Sequence, residues 1–257
     1  MFNYMILKIK CVFLLFLSLF VFGSPCFART LMVDQGHGQA FLIENNGPLD
    51  LSDLAEIFTD QGFELKVNAT NPFQDTSFAG IDALVISGPF LPLTGDETNS
   101  IIQFINDGGK LCLMLHIPSP ASTLLKKLGV AVSFTPINER ENLLGTNIKD
   151  FSVVSLQPHP ITEGLQSFKV YGIWGVMSDN DYSSVIASAS SKSWVDMNKN
   201  NTLDEGDGVY PYGLVVTGNI GKGSFVVFGD DAIFQNQFIN AENKQLAINL
   251  AKWLQQH

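Results

Sequence analysis

The residues with the clearest chemical pattern lie in one acidic loop, Asp196-Met-Asn198-Lys-Asn200-Asn201-Thr202-Leu203-Asp204-Glu205-Gly206-Asp207. Its twelve residues follow the spacing of a Ca²⁺-binding loop. Oxygen-bearing side chains stand at positions 1, 3 and 5 (Asp196, Asn198, Asn200). Thr202 at position 7 offers its carbonyl, and Asp204 and Asp207 fill positions 9 and 12. A large hard cation takes about six to eight oxygens, and alternate residues of a tight loop can aim at one centre. Position 6 is Asn201 in place of Gly, and Asn tolerates the left-handed backbone that this turn requires. Position 12 is Asp in place of Glu, a shorter arm. Trp194-Val195 before the loop and Val209-Tyr210 after it read as extended. The expectation is a lone Ca²⁺ loop between strands, of weak affinity (about 10⁻⁴–10⁻³ M), that orders the segment around it. The same residues also suit a polar surface turn, where Asn and Asp are favoured.

A second group depends on the fold. Asp34, Gln35 and His37 leave the first expected strand, Ser87 leaves the third, His116 the fourth, and Asp230 and Asp231 the last long one. In open parallel α/β sheets, ligands bind beyond the carboxyl ends of the strands. If these groups converge there, His37, His116 and Asp230 are candidates for acid–base or metal chemistry, with the whole set lining a ligand site. Against this, Asp231 also suits a cap for a helix beginning near Ala232, and His116 suits a hydrogen bond to a neighbouring carbonyl.

The elements that must position these residues alternate. Thr30–Asp34, Phe63–Val67, Ala83–Ile86, Lys110–Leu115 and Val130–Phe134 read as strands, the fourth apolar throughout, as a parallel strand covered on both faces must be. Between them, Leu51, Leu54, Ala55 and Phe58 fall at helical spacing, with Asp50 placed to cap and Gly62 to stop the helix. Thr94-Gly-Asp-Glu97 is a capping box opening a helix that ends at Gly108-Gly109. Ser119-Pro120 starts another, ended by Gly129. This order predicts a doubly wound, mostly parallel sheet. Residues from about 157 to 218 read as a strand-rich insertion carrying the acidic loop, and Asn243–Leu254 reads as a closing helix.

The chain has 257 residues, with 15 Lys and Arg against 25 Asp and Glu, a net charge of −10. That balance excludes a nucleic-acid partner, which needs clustered cations. With 46% hydrophobic and 16% charged residues, a packed core is expected. Lys8 and Lys10 precede an apolar run from Cys11 to Phe22 and a small residue at Ala28. Residues 1–28 thus read as a signal peptide whose apolar run is too short to span a bilayer, and the expected location is periplasmic or secreted with no membrane span after cleavage. Cleavage would leave Cys112 as the sole thiol, hence no internal disulfide.

The segments Asp82-Ala-Leu-Val-Ile-Ser-Gly88, Phe104-Ile-Asn-Asp-Gly-Gly-Lys110, His159-Pro-Ile-Thr-Glu-Gly-Leu165 and Gly229-Asp-Asp-Ala-Ile-Phe234, with Asn249-Leu-Ala-Lys-Trp-Leu254, carry a resemblance through their order. Together they resemble the class I glutamine amidotransferase-like superfamily in its non-amidotransferase branches: trehalose-utilisation-like, gliding-motility- and ABC-associated, and uncharacterised secreted members. The resemblance implies a flavodoxin-like three-layer α/β sandwich. Catalytic members place a Cys on a sharp strand-to-helix turn, whereas Cys112 here falls inside Lys110-Leu-Cys-Leu-Met-Leu115, and His159 is followed by Pro160 and Ile161 where a His-x-Glu pair would stand. Glutamine hydrolysis is therefore not expected. The expected function is a non-catalytic domain that binds a small-molecule or carbohydrate ligand, or an envelope protein partner, and is stabilised by Ca²⁺. The alternative is a hydrolase, possibly carbohydrate-directed, using the His/Asp cluster.

Overall fold

The computed structural model describes residues 28–70, 72–239 and 241–256. The stretch read as a signal peptide lies outside them except for Ala28. In chain order come β1 (Arg29–Asp34), α1 (Ser52–Asp60), β2 (Phe63–Asn68), β3 (Ala83–Ser87), α2 (Gly95–Asn106), β4 (Lys110–Met114), α3 (Ser122–Leu128) and β5 (Val130–Pro136). There follow β6 (Asp150–Val153), β7 (Ser155–Leu156), β8 (Phe168–Tyr171), β9 (Trp174–Ser178) and β10 (Ser183–Ser188). The chain closes with β11 (Trp194–Val195), β12 (Gly208–Val209), β13 (Gly213–Ile220), β14 (Gly223–Phe228) and α4 (Ala241–Leu254).

This is a mixed α/β structure around a large sheet of order β2-β1-β3-β4-β14-β13-β10-β7. Pairings from β2 across to β14 are parallel. Those from β14 across β13 and β10 to β7 are antiparallel. The parallel strands alternate between two cores, which is why their sequences are apolar at nearly every position. Leu31, Val33, Val85, Cys112, Met114 and Phe228 pack with α1 and α4. Met32, Leu84, Ile86, Leu111, Leu113 and Val227 pack with α2 and α3. Among the described residues no helix is long and apolar enough to cross a membrane.

The helix boundaries follow local chemistry. At the start of α2, Thr94 Oγ1 accepts from the Glu97 amide while the Glu97 carboxylate accepts from the Thr94 amide, the reciprocal capping box. α3 ends at Gly129, whose φ of 64° is a left-handed conformation that only glycine adopts without strain. Two buried asparagines dock α4: Asn243 Nδ2 donates to the Ile233 and Phe238 carbonyls, and Asn249 Nδ2 to those of Ile161 and Glu163.

Three details differ from the sequence expectation. β5 does not continue the parallel sheet but pairs antiparallel with β9 in a separate ribbon. Its residues Ser133, Thr135 and Pro136 stay half-exposed, and a strand with polar groups and a missing N–H cannot sit inside a doubly covered sheet. Asp50 does not cap α1; its carboxylate accepts instead from the Leu42 and Gly47 amides, bracing the preceding loop. Within residues 157–218, β10 and β13 extend the large sheet, while β11 and β12 form a short ribbon.

Gly229, just after β14, fixes the approach of β9. Its amide donates to the Leu214 carbonyl and its carbonyl accepts from the Trp174 amide. A Cβ on Gly229 would overlap the Trp174 carbonyl oxygen, a backbone atom that cannot step aside. Gly229→Ala is therefore expected to destabilise the protein by about 1–3 kcal/mol, measured by urea unfolding.

Candidate functional site

β1, β3, β4 and β14 run parallel, so the residues that leave their carboxyl ends share one edge of the sheet. The structure divides the expected residues there into two groups with different access to water.

The first group is sealed. His37 is 1% exposed, and both ring nitrogens are engaged: Nδ1 lies 2.7 Å from Asp34 Oδ2 and Nε2 lies 2.8 Å from Glu97 Oε1. Gln39 and Asn68 side-chain amides also donate to Asp34, and the Phe73 amide donates to Glu97. Burial pulls the His37 pKa down, but hydrogen bonds and charge from Asp34 and then Glu97 outweigh it, and the net shift is upward. Burial pushes Glu97 up, but the Thr94 amide and hydroxyl, the Phe73 amide and His37 outweigh it, and the net shift is downward. An imidazolium thus sits between two carboxylates and ties the end of β1 to the start of α2. The His37 carbonyl accepts from the Phe90 and Leu91 amides, which pins the loop after β3. Gln35 turns away from this edge: its side chain accepts from the Ile43 amide and donates to Glu44.

The second group opens outward. His116, two residues past β4, has a 36% exposed side chain, and its Nδ1 lies 3.1 Å from Oδ1 of the buried Asp231. One donor atom from each of His116, Asp230 and Asp231 lies within 4.8 Å of the others, the one such cluster of three among the described residues. Asp231 precedes a short 3₁₀ turn without capping it through its side chain; its carboxylate serves His116. The His116 pKa is raised, chiefly by the hydrogen bond to Asp231. Burial raises Asp231, and it raises Asp230 well above the usual carboxylate range with the Asp231 charge adding to it. Gly88, next to Ser87, packs its α-carbon where a Cβ would collide with Asp231 Oδ2. The Phe41 and Phe90 rings flank His116 at centroid distances of 5.2 and 5.4 Å. His37 and His116 therefore do not share one crevice, because His37 is buried with both nitrogens engaged while His116 opens outward.

Beside His116 lies an open groove of about 810 Å³, lined by Ile117, Leu125, Val130, Val132, Phe134 and Trp174 among others. Trp174 joins the groove to the cluster, because its Nε1 donates to the His116 carbonyl. Cys112 is remote from this surface in character: it sits inside β4, fully buried, and burial raises its thiol pKa well above the ordinary value.

The acidic loop is held between β11 and β12. Asp196 Oδ1 and Oδ2 accept from the Asn200 and Asn201 amides, and Asp207 accepts from the Met197 and Asp204 amides. Asn198 and Asn200 both donate to Asp204 Oδ2, so positions 3, 5 and 9 meet at one point. Asn201 has φ 59°, the left-handed turn expected of it, and Lys199 adopts φ 61°. The Asn198 and Asn200 amide oxygens accept in turn from the Asn200 and Thr202 backbone amides, so the loop is closed by its own hydrogen bonds.

The sequence reading passed over Glu97, seen only as a capping residue. Capping leaves carboxylate lone pairs free for a second partner, but no spacing in the sequence relates Glu97 to His37. Trp174 stood in the sequence as an aromatic suited either to a sugar-binding surface or to core packing, and the structure puts it on the wall of the groove.

The family described as Domain of unknown function (DUF4350) matches residues 43–251. No curated protein matches the chain. Among solved structures, the mmIFT52 N-terminal domain superposes with TM-score 0.69 at 14% identity, covering 88% of this chain and 98% of that one. Cytoplasmic protein STM1381 from Salmonella typhimurium LT2 gives 0.55 at 15% identity, covering 89% and 100%. A ThuA-like protein from Parabacteroides merdae gives 0.51 at 10% identity, covering 88% and 89%. These likenesses concern the fold. The expectation of an exported protein is corrected at this point: STM1381 and a second Salmonella typhimurium neighbour, STM3548, are described as cytoplasmic proteins, which runs against export.

His37→Ala would strand Asp34 and Glu97 as buried charges and is expected to cost about 3–5 kcal/mol in urea unfolding. Because the folded pKa of His37 is raised, its contribution is fully present below its ordinary value of 6.5 and is lost as pH rises through the folded value. The melting-temperature gap between the wild type and His37→Asn should accordingly be widest in mild acid and narrow toward alkaline pH.

Proposed function

The chain belongs to the DUF4350 family, and from that premise we propose that it is a non-catalytic, amidotransferase-like domain that binds a small-molecule ligand at the carboxyl edge of its sheet. The observation that carries this reading is the join between the apolar groove and the His116–Asp231 pair through Trp174. A concave apolar wall with a few convergent polar groups is the usual make-up of a ligand site. A ligand with an apolar or ring-shaped body and a polar head, such as a carbohydrate, suits that wall. The layering is read as flavodoxin-like, supported by the strand order and by helices packed into two separate cores. Burial of Cys112 in mid-strand supports a branch without thiol chemistry.

Ca²⁺ binding by Asp196, Asn198, Asn200, Thr202, Asp204 and Asp207 is part of the same proposal, as a stabiliser of the loop between β11 and β12. A second reading, a hydrolase, is favoured by the hydrogen bond that orients His116, the arrangement a general base needs. It retains His116 and Asp230 and drops His37, whose nitrogens are both engaged.

A thermal-shift screen with sugars and cell-wall fragments tests the binding reading. A ligand that raises the melting temperature of the wild type and loses its effect in Trp174→Ala supports it, and a screen without any shift counts against it. Turnover of chromogenic glycosides or esters that disappears in His116→Ala would favour the hydrolase. For the loop, Ca²⁺ at about 100 times its dissociation constant should stabilise the fold by about 2.7 kcal/mol. That gain should vanish with chelator and in Asp196→Ala.

A further inference from the structure

We propose that His116, Asp230 and Asp231 bind a divalent first-row transition-metal ion of the Zn²⁺ class. The inference deepens the reading of this edge as a ligand site and rests on it.

Two independent observations carry it. The first is the geometry of the donors. An ion bonded at about 2.0–2.2 Å sets neighbouring ligand atoms about 3.0–3.4 Å apart and opposite ones about 4.2 Å apart. His116 Nδ1 and Asp231 Oδ1 stand 3.1 Å apart, and the three donor atoms lie within 4.8 Å of one another. Small side-chain rotations close the difference.

The second observation is unmet polar capacity. Asp230 is 4% exposed and Asp231 0%, yet Oδ2 of each lacks a hydrogen-bond partner. A carboxylate oxygen buried without a partner costs free energy that a folded protein rarely leaves uncompensated. The backbone N–H groups of Tyr171, Asp231 and Ala232 face Asp230, and His116 with the Asp231 and Ala232 N–H groups serves Asp231, yet neither Oδ2 is reached. His116 reaches only Asp231 Oδ1, so both Oδ2 atoms stay buried without a donor. A divalent cation would take up both orphan oxygens together. Ser87 Oγ, a third buried orphan, belongs to the residue next to Gly88, whose α-carbon faces Asp231 Oδ2.

The donor types choose the class of ion. Imidazole with carboxylate suits Zn²⁺, Fe²⁺, Co²⁺ or Ni²⁺, whereas Ca²⁺ and Mg²⁺ prefer oxygen alone. The acidic loop, proposed above as a Ca²⁺ site, carries no imidazole and is the opposite case. The imidazole is also part-exposed, which leaves room for water or a ligand atom on the ion.

The test is a Co²⁺ titration of the full chain, purified without a histidine tag and stripped with chelator, followed by visible absorption and by competition with Zn²⁺. One equivalent of Co²⁺ with a ligand-field band, displaced by Zn²⁺, is the expected result. His116→Ala, at a part-exposed position that leaves the core intact, should weaken Co²⁺ binding at least about tenfold, as should the isosteric Asp231→Asn. Asp196→Asn in the acidic loop should leave it unchanged. Absence of Co²⁺ uptake by the wild type would overturn the inference, as would equal uptake by His116→Ala. A carbonyl band of a protonated carboxylic acid in the stripped protein, undisturbed by Co²⁺, would show that the two aspartates share a proton instead. Ligand shifts in metal-free wild type and Trp174→Ala score the groove separately, so loss of the metal inference and loss of the binding reading remain distinguishable.

Discussion

A carboxylate taken out of water must meet positive charge or enough donors, and the carboxyl edge of this sheet buries four of them: Asp34, Glu97, Asp230 and Asp231. The first two share His37, whose nitrogens reach one each, with donors from Gln39, Asn68, Phe73 and Thr94 completing the set. That network is closed, and it joins β1 to α2. The second two share His116, which reaches only Asp231, and two oxygens remain unmatched. One half of the edge is structural because its carboxylate oxygens all find donors. The other half has capacity left over, and it faces outward.

The surrounding architecture serves this difference. Gly88 and Gly229 let the chain approach closely where the aspartates emerge, one against Asp231 and the other against the Trp174 backbone. Trp174 then links His116 to the apolar groove. Cys112, the free thiol among the described residues, is one more packed side chain of β4 and does not reach this edge. The acidic loop lies elsewhere, clamped by β11 and β12, with the Asn198 and Asn200 side-chain amides donating to Asp204.

Much of the scaffold was legible in the sequence because its signals are local. The apolar run at Lys110, the capping box at Thr94 and the left-handed Gly129 each act within a few residues, and each element formed within a residue or two of where they put it. β5 was not legible as an outlier, since its first residues are as β-prone as those of its neighbours and only Ser133, Thr135 and Pro136 betray a strand that cannot be covered on both faces. The strand-end rule brought Asp34, His37, Ser87, His116, Asp230 and Asp231 to one edge. What it could not reveal was that Glu97, sixty residues from His37, would arrive to seal that histidine, or that Phe41 and Phe90 would stand beside His116. Those are tertiary contacts between segments with no sequence spacing to relate them.

Everything proposed for this edge depends on the buried Asp230 and Asp231 oxygens that His116 leaves without a partner being the ligands of a metal ion. Anomalous X-ray scattering at the cobalt edge, from crystals of the full chain equilibrated with Co²⁺, addresses that claim most directly. The account predicts a single strong peak bounded by His116, Asp230 and Asp231 at bonding distance, about 2.0–2.2 Å, from each. A map empty at that point, with cobalt at the acidic loop or nowhere, would contradict it.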